Sequence, residues 1–170
     1  MPTGNPDGPS HALDSRRCIS YWTIELRGEI PERNRSEIGS HLFSCDICQD
    51  VCPWNGRAAT TDAPEFQPQH KLPSLEDLAS MTREEFAHRF AHAPVERSRY
   101  RGFLRNVAIA MGNSGEGKFL EPLRRLAGNP DPLIREHAEW AISQLAGGNP
   151  EIDSPPGHEQ ESLAVKDLGS

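Results

Sequence analysis

The sequence predicts a mostly α-helical protein, in which a small cysteine-bearing module precedes a HEAT-like helical repeat domain and both ends are disordered tails. Three observations support this fold class. Three of the four cysteines fall within eight residues. Amphipathic stretches of helical period fill residues 75–146. Proline and glycine collect mostly in the first dozen residues, the middle and the last two dozen, as expected of tails and linkers.

Size and charge limit what the chain can be. Its 170 residues suffice for one ordinary domain or two small ones. The formal net charge of -7 means that the protein as a whole repels nucleic acid, so any contact with RNA must be made by a local basic patch. No apolar run approaches the roughly 20 residues that a membrane-spanning helix needs, and residues 1–14 lack the pattern of a secretion signal. We therefore expect a soluble, cytoplasmic protein with no membrane contact.

The N-terminal part is predicted to be short helices around the cysteines. Residues 1–12 are turn-forming throughout and should be disordered, and the structured part begins at Leu13. Apolar residues at helical spacing predict two short helices, over residues 18–27 and 31–41, joined by a turn at Gly28. Pro53 ends any helix that passes through the cysteine cluster.

The C-terminal part is predicted to be a series of amphipathic helices. Residues 56–73 have few aliphatic side chains and are predicted to be a linker. Thr82 and Glu85 have the spacing of a capping box, and Asp131 and Pro132 are typical of a helix start. Helices are expected over residues 75–81, 82–90, 99–112, 118–127 and 133–146, a HEAT-like domain over 74–146, and a disordered acidic tail over 147–170.

The cysteine spacing is the most informative motif. Cys45, Cys48 and Cys52, followed by Pro53, reproduce the last three cysteines and the proline of the bacterial ferredoxin motif C-x2-C-x2-C-x3-C-P, with Leu42 where the first cysteine would stand. This spacing predicts a partial ferredoxin-like [4Fe-4S] module over residues 13–55. In two-cluster proteins the cysteine before the proline ligates the other cluster. By that rule Cys18, Cys45 and Cys48 bind one cluster and Cys52 belongs to a second.

Two other interpretations of the thiols stay open at this stage. Four cysteines also meet the ligand count of a structural zinc site, although zinc sites usually pair two separated C-x2-C units. The thiols could also carry no metal at all.

Several separate blocks of the chain resemble the C-terminal half of epoxyqueuosine reductases. They are LDSRRCISYWTIE (residues 13–25), CDICQDVCPWN (45–55), GFLRNVAIAMGN (102–113) and REHAEW (135–140). The resemblance implies an oxidoreductase that removes the epoxide oxygen of epoxyqueuosine in tRNA to give queuosine. It further implies an N-terminal cobalamin domain with the catalytic acid, two [4Fe-4S] clusters that pass electrons to cobalt, and a HEAT-like domain that helps to hold tRNA.

The resemblance also implies that the sequence is a fragment. Family members end a first complete cysteine motif with Cys-Pro-Thr-Gly, whereas this chain starts Met1-Pro2-Thr3-Gly4. Residues 1–12 would be the remnant of that motif, and cobalamin would belong only to the full-length enzyme. We expect the chain alone to be inactive, with the missing cysteines supplied by a longer protein or by a separate N-terminal chain. The physiological electron donor is not identified by the sequence.

Outside the cysteines, four arginines are candidates for contact with tRNA phosphates: Arg97, Arg99, Arg101 and Arg105. The alternative is an ordinary solvated helix start.

Trp22, Trp54, Trp140, Phe103 and His137 are interpreted as core residues, and no catalytic residue is assigned. The alternative hypothesis for the function is not enzymatic: the chain would be a helical binding module whose cysteines hold zinc or no metal.

Overall fold

The computed structural model describes residues 14–67 and 73–147. These residues form helices, turns and loops without a β-strand, which confirms the mostly α-helical fold class. Of the tails predicted to be disordered, residues 1–12 and 147–170, all residues except Gly147 lie outside the described residues. The limits drawn between the module, the linker and the helical domain stay a prediction.

Seven α-helices make up most of the regular structure of the described residues. They are α1 (Glu32–Arg35), α2 (Ile47–Asp50), α3 (Leu75–Ser80), α4 (Arg83–Arg89), α5 (Arg99–Asn113), α6 (Leu120–Ala127) and α7 (Pro132–Ala146). A π-helical turn, Tyr21–Glu25, lies near the N-terminus. Single 3-10 turns lie at Ser15–Arg17, Ser36–Ile38, Asn55–Arg57, Pro64–Phe66, Pro94–Ser98 and Gly117–Phe119.

The five predicted C-terminal helices are present within a few residues of their expected bounds. The starts of α3, α4 and α7 could be predicted because capping side chains lie within one turn of them. Thr82 and Glu85 close the predicted capping box at the start of α4, and the Asp131 side chain accepts from the Leu133 N–H at 2.9 Å. Ser74 and Asp77 form a second capping box, at α3.

The core is built around α5, which is buried from Gly102 to Gly112 and packs mainly against α7. The two helices come unusually close at Gly112, where an added Cβ would lie 2.8 Å from the Ala141 Cα. Phe103, as predicted, is buried beside α4, and its ring centroid lies 5.1 Å from that of Phe86. The helix therefore serves as the central element onto which the rest of the chain docks.

Residues 14–44 share this core. Trp22, Ile30 and Ile38 are buried against residues of α5 and α7. Ile30 is held at both backbone groups: its N–H donates to the His137 Nε2 at 3.1 Å and its carbonyl accepts from the Arg35 Nε at 2.8 Å. The cysteine-bearing part and the helical part are thus one packed unit in this region.

His137 is a buried core residue, as predicted. Because its Nε2 accepts from Ile30, its other ring nitrogen carries the proton and donates to the Leu133 carbonyl at 2.8 Å. Trp140 is also buried, and its ring lies 5.7 Å from the Arg35 guanidinium carbon. The prediction that Trp54 is a core anchor is wrong, because 87% of this residue is exposed.

Candidate metal centre

The four cysteines lie on two segments that are distant in sequence. Cys18 comes just before the helical turn that begins at Ile19, and Cys45 to Cys52 surround the one-turn helix α2. All four are free thiols; Cys48 is exposed and the other three are half-buried.

Local hydrogen bonds shape the second segment. The Gln49 and Asp50 N–H groups both donate to the Asp46 carbonyl, at 2.7 and 2.9 Å, and so form the turn that carries Cys48. The Asn55 side chain donates to the Gln49 carbonyl at 3.0 Å, and its backbone N–H donates to the Cys52 carbonyl at the same distance. Asn55 therefore closes the loop around Cys52.

The first segment contacts the second through small polar side chains. The Ser20 hydroxyl donates to the Cys45 carbonyl at 3.4 Å. The Thr23 hydroxyl donates to the Ile19 carbonyl at 2.9 Å and accepts from the Ser44 N–H at 3.1 Å. The backbone next to Cys18 is thereby tied to the backbone next to Cys45.

The donor chemistry fits an iron–sulfur cluster, because thiolates in the motif spacing are the ligands that such clusters use. Within the described residues, however, no group of three or more His, Cys, Asp or Glu side chains is placed to hold a single metal ion. Four cysteines in one tetrahedral zinc shell therefore receive no support from the geometry.

A buried arginine fixes the position of the first segment. The Arg105 guanidinium uses all five N–H groups: it donates to the carbonyls of Trp22, Leu26 and Gly28 at 2.6 to 2.9 Å, and twice to the Asn106 Oδ1. Burial lowers the pKa of Arg105 to about 10, and Arg27 and Arg101 add to this shift, yet the group stays charged at neutral pH.

The interpretation of Arg105 as a tRNA contact is therefore wrong. Its side chain is fully buried and has no donor left for a phosphate. The physical reason is that α5 turns this residue inward, towards backbone carbonyls that need donors. A sequence signal existed, since Arg105 and Asn106 interrupt an otherwise apolar run, but their partners lie about 80 residues upstream.

The other three candidate arginines are at the surface. Arg97 pairs with Glu25, and 66% of its side chain is exposed. Arg101 pairs with Asp131 at 3.0 Å, and 47% of its side chain is exposed. Arg99 is exposed at the start of α5, with a backbone φ of 57°. They remain predicted RNA contacts.

The chain is similar to known iron–sulfur proteins. The family described as "4Fe-4S double cluster binding domain" matches residues 2–55, the stretch that holds all four cysteines. The epoxyqueuosine reductase of Pseudomonas aeruginosa is 45% identical over 144 residues. The chain is a partial homologue of the epoxyqueuosine reductases. This finding confirms the resemblance seen in the sequence.

The matches to epoxyqueuosine reductases cover most of the chain and a smaller part of each relative. The Pseudomonas aeruginosa match covers 83% of this chain and 40% of the relative. The Escherichia coli epoxyqueuosine reductase is 37% identical, and the match covers 84% of this chain and 38% of the relative.

A solved epoxyqueuosine reductase, crystallised with an epoxyqueuosine-modified tRNA-Tyr stem loop, has a similar structure. It superposes with a TM-score of 0.72 at 32% identity, over 80% of this chain and 37% of that one.

In the described part of this chain, no helix is both long and apolar enough to cross a membrane.

Proposed function

We propose that this chain is the iron–sulfur electron-transfer and RNA-holding part of an epoxyqueuosine reductase. The observation that carries the proposal is the coincidence of two findings. The C-x2-C-x3-C-P motif lies inside the stretch, residues 2–55, that matches a double-cluster domain, and 83% of the chain matches an epoxyqueuosine reductase. The spacing alone would be compatible with many ferredoxin-like proteins.

In this proposal Cys18, Cys45 and Cys48 are ligands of one [4Fe-4S] cluster and Cys52 is a ligand of a second. Bound clusters would supply one-electron transfer. The chain's own residues fix the relative position of the two cysteine segments and partly shield the thiols of Cys18, Cys45 and Cys52 from water. Cobalamin and the catalytic acid belong to the full-length enzyme, and no residue of this chain is assigned to them.

The proposed partner is tRNA, contacted by Arg97, Arg99 and Arg101. The support is the exposure of these side chains and the structural likeness to a reductase crystallised with a tRNA stem loop. Two of the arginines already pair with carboxylates, Glu25 and Asp131, so phosphate would have to displace or join these pairs.

Cluster ligation is tested by anaerobic reconstitution of the full chain with iron, sulfide and mercaptoethanol, which can supply a missing thiolate. Iron, acid-labile sulfide and zinc are counted, and the reduced sample is examined by electron paramagnetic resonance. We expect about four irons and four sulfides per chain. Cys18→Ser, Cys45→Ser and Cys48→Ser should abolish the signal, whereas Cys52→Ser and the exposed control Ser40→Ala should keep it.

Two outcomes would contradict this assignment. Stoichiometric zinc without sulfide would favour a zinc-binding helical module. Loss of the cluster in Cys52→Ser would show that Cys52 completes the first cluster, against the two-cluster ligand rule.

RNA contact is tested by binding of a tRNA anticodon stem loop at several salt concentrations. We expect Arg97→Gln, Arg99→Gln and Arg101→Gln each to weaken binding and to reduce the slope of log K against log salt by about one. Arg124→Gln, an exposed arginine on α6, is the matched control. Equal effects at Arg124 and at the three arginines would contradict the proposed surface.

A further inference from the structure

We propose that Thr23 and Asn106 are positioning residues that set the spacing between Cys18 and Cys45, so that both thiols reach the same cluster. This inference rests on the proposed function, because it assumes that the two cysteines are cluster ligands. It is independent of the reductase's substrate.

Thr23 joins the two cysteine segments with a single hydroxyl group. Its side chain is fully buried. The hydroxyl donates to the carbonyl of Ile19, the residue after Cys18, at 2.9 Å. The same oxygen accepts from the N–H of Ser44, the residue before Cys45, at 3.1 Å. Because hydrogen bonds are directional, this arrangement fixes both the distance and the orientation of the two backbones.

Ser44 occupies a backbone conformation that non-glycine residues rarely adopt, with φ at 66°. This left-handed residue turns the chain into the segment that carries Cys45 and α2. Such a conformation persists when the surrounding structure holds it in place, and here the Thr23 hydroxyl binds its N–H. The direction in which the chain enters the cysteine motif thus depends on Thr23.

Asn106 holds the same two segments from the side of α5. It is fully buried, and its Nδ2 donates one hydrogen to the Thr23 carbonyl and the other to the Leu42 carbonyl, both at 2.8 Å. Its Oδ1 accepts from Arg105 at 2.9 and 3.1 Å. Every polar atom of the Asn106 side chain is therefore used, and α5 fixes the relative position of residues 23 and 42.

The location of these bonds argues for a positioning role. Apolar side chains could bury the same surface, but hydrophobic contacts are non-directional, whereas these hydrogen bonds restrict both distance and angle. Groups that orient metal ligands typically change metal affinity by 10- to 100-fold when removed. We therefore expect loss of either residue to affect the cluster more than it affects the fold.

The test uses pairs of variants with the same chemical change at two sites in the full chain. Thr23→Val removes the hydroxyl at the junction, and Thr82→Val removes the hydroxyl that caps α4, away from it. Asn106→Asp removes the two N–H donors at the junction. Asn113→Asp removes the equivalent donors to the Arg35 and Gly39 carbonyls. Thr23→Ser keeps the hydroxyl and serves as the rescue variant.

Three quantities are measured for every variant: the rate of iron loss to a chelator, the paramagnetic resonance spectrum of the reduced cluster, and the unfolding midpoint of the unloaded chain. The first two are measured at a temperature below every variant's unfolding midpoint. We expect Thr23→Val and Asn106→Asp to lose iron about 10- to 100-fold faster than the parent, with an altered spectrum. Thr82→Val and Asn113→Asp should lower the unfolding midpoint and leave the iron rate and the spectrum unchanged. Thr23→Ser should behave as the parent.

Two results overturn the proposal in distinguishable ways. A parent chain that takes up no iron and sulfide contradicts the proposed function and this inference together. A parent that loads normally, with Thr23→Val indistinguishable from it or from Thr82→Val in iron loss and spectrum, contradicts this inference alone.

Discussion

The two stretches that carry the cysteines are held in different ways. Residues 14–44, which include Cys18, bury Trp22, Ile30 and Ile38 against α5 and α7. In residues 45–66, all of which the structure describes, no residue is buried. Ile47, Val51, Trp54 and Phe66 are 51 to 87% exposed. One stretch is part of the core, and the other lies on it through a few hydrogen bonds.

This difference shows which part of the candidate centre the fold itself builds. Cys18 is placed by long-range contacts to α5, through Arg105 and Asn106. Cys45, Cys48 and Cys52 are placed by local turns and by the bonds from Ser20 and Thr23. We therefore expect mutations of the apolar core residues of the first stretch, Trp22, Ile30 and Ile38, to destabilise the fold, and mutations in the second stretch to affect mainly the cluster.

The largest effect is expected from Arg105→Met. The carbonyls of Trp22, Leu26 and Gly28 would lose their donors, and each buried group left without a partner costs about 1–3 kcal/mol. We expect the free energy of unfolding to fall by at least about 3 kcal/mol in urea titrations. Arg124→Met, an exposed arginine that pairs with Glu121, is the control and should change it by about 0–1 kcal/mol. Similar values for the two variants would contradict the role of Arg105.

The docking of Ile30 on His137 should make stability depend on pH. Burial first, and then the charge of Arg35, lower the pKa of His137 from 6.5 to about 4 in the folded protein. Since the folded pKa is depressed, the unfolded chain binds the proton more readily. The stabilisation is complete above pH 6.5 and is lost as pH falls towards 4, by about 3 kcal/mol in all.

The measurement is the urea unfolding free energy at pH 7 and pH 4 for the parent and for His137→Gln. The variant removes this proton-binding group, so the difference in pH dependence between the two isolates His137. We expect the parent to lose about 3 kcal/mol more than the variant. Equal losses would show that the docking of Ile30 does not depend on the neutral imidazole.

An intermediate effect is expected at the crossing of α5 and α7. Gly112→Ala would place a Cβ 2.8 Å from the Ala141 Cα and Cβ. Overpacking of this kind costs about 1–3 kcal/mol, which outweighs the better helix propensity of alanine. Gly102→Ala is the matched control in the same helix, because its Cβ would meet nothing nearer than the Arg105 Nη2 at 3.9 Å. A thermal unfolding midpoint that falls equally in both variants would argue against a close crossing.

The smallest effect on stability is expected from Trp54→Ala. This residue is 87% exposed, so its removal should change the free energy of unfolding by less than about 0.5 kcal/mol. Trp22→Ala, in the other stretch, should cost about 3–5 kcal/mol in the same urea titration. A large loss at Trp54 would mean that the second stretch is packed as firmly as the first.

The sequence was sufficient where structure is set by neighbours along the chain. The helices from α3 to α7 follow from apolar period and caps such as Thr82 and Asp131, which act within one turn. The inward position of His137 followed from the same apolar stripe.

The sequence was insufficient where structure depends on distant partners. Nothing local indicates that Arg105 binds three carbonyls about 80 residues upstream, or that Thr23 binds the Ser44 N–H. The wrong prediction for Trp54 has a related cause, since a large apolar residue is buried only if a surface packs against it. The cysteine motif identified the ligand candidates, yet their relative placement depends on α5.

Amide hydrogen exchange before and after anaerobic cluster loading tests the central claim most directly. The amides of Ile30 and Ser44, whose partners are the side chains of His137 and Thr23, should be protected in the unloaded chain. Protection over residues 45–52 should increase only on loading. Strong protection of residues 45–52 without iron, or rapid exchange at Ile30 and Ser44, would contradict the claim that the fold builds the first stretch and leaves the second to the cluster.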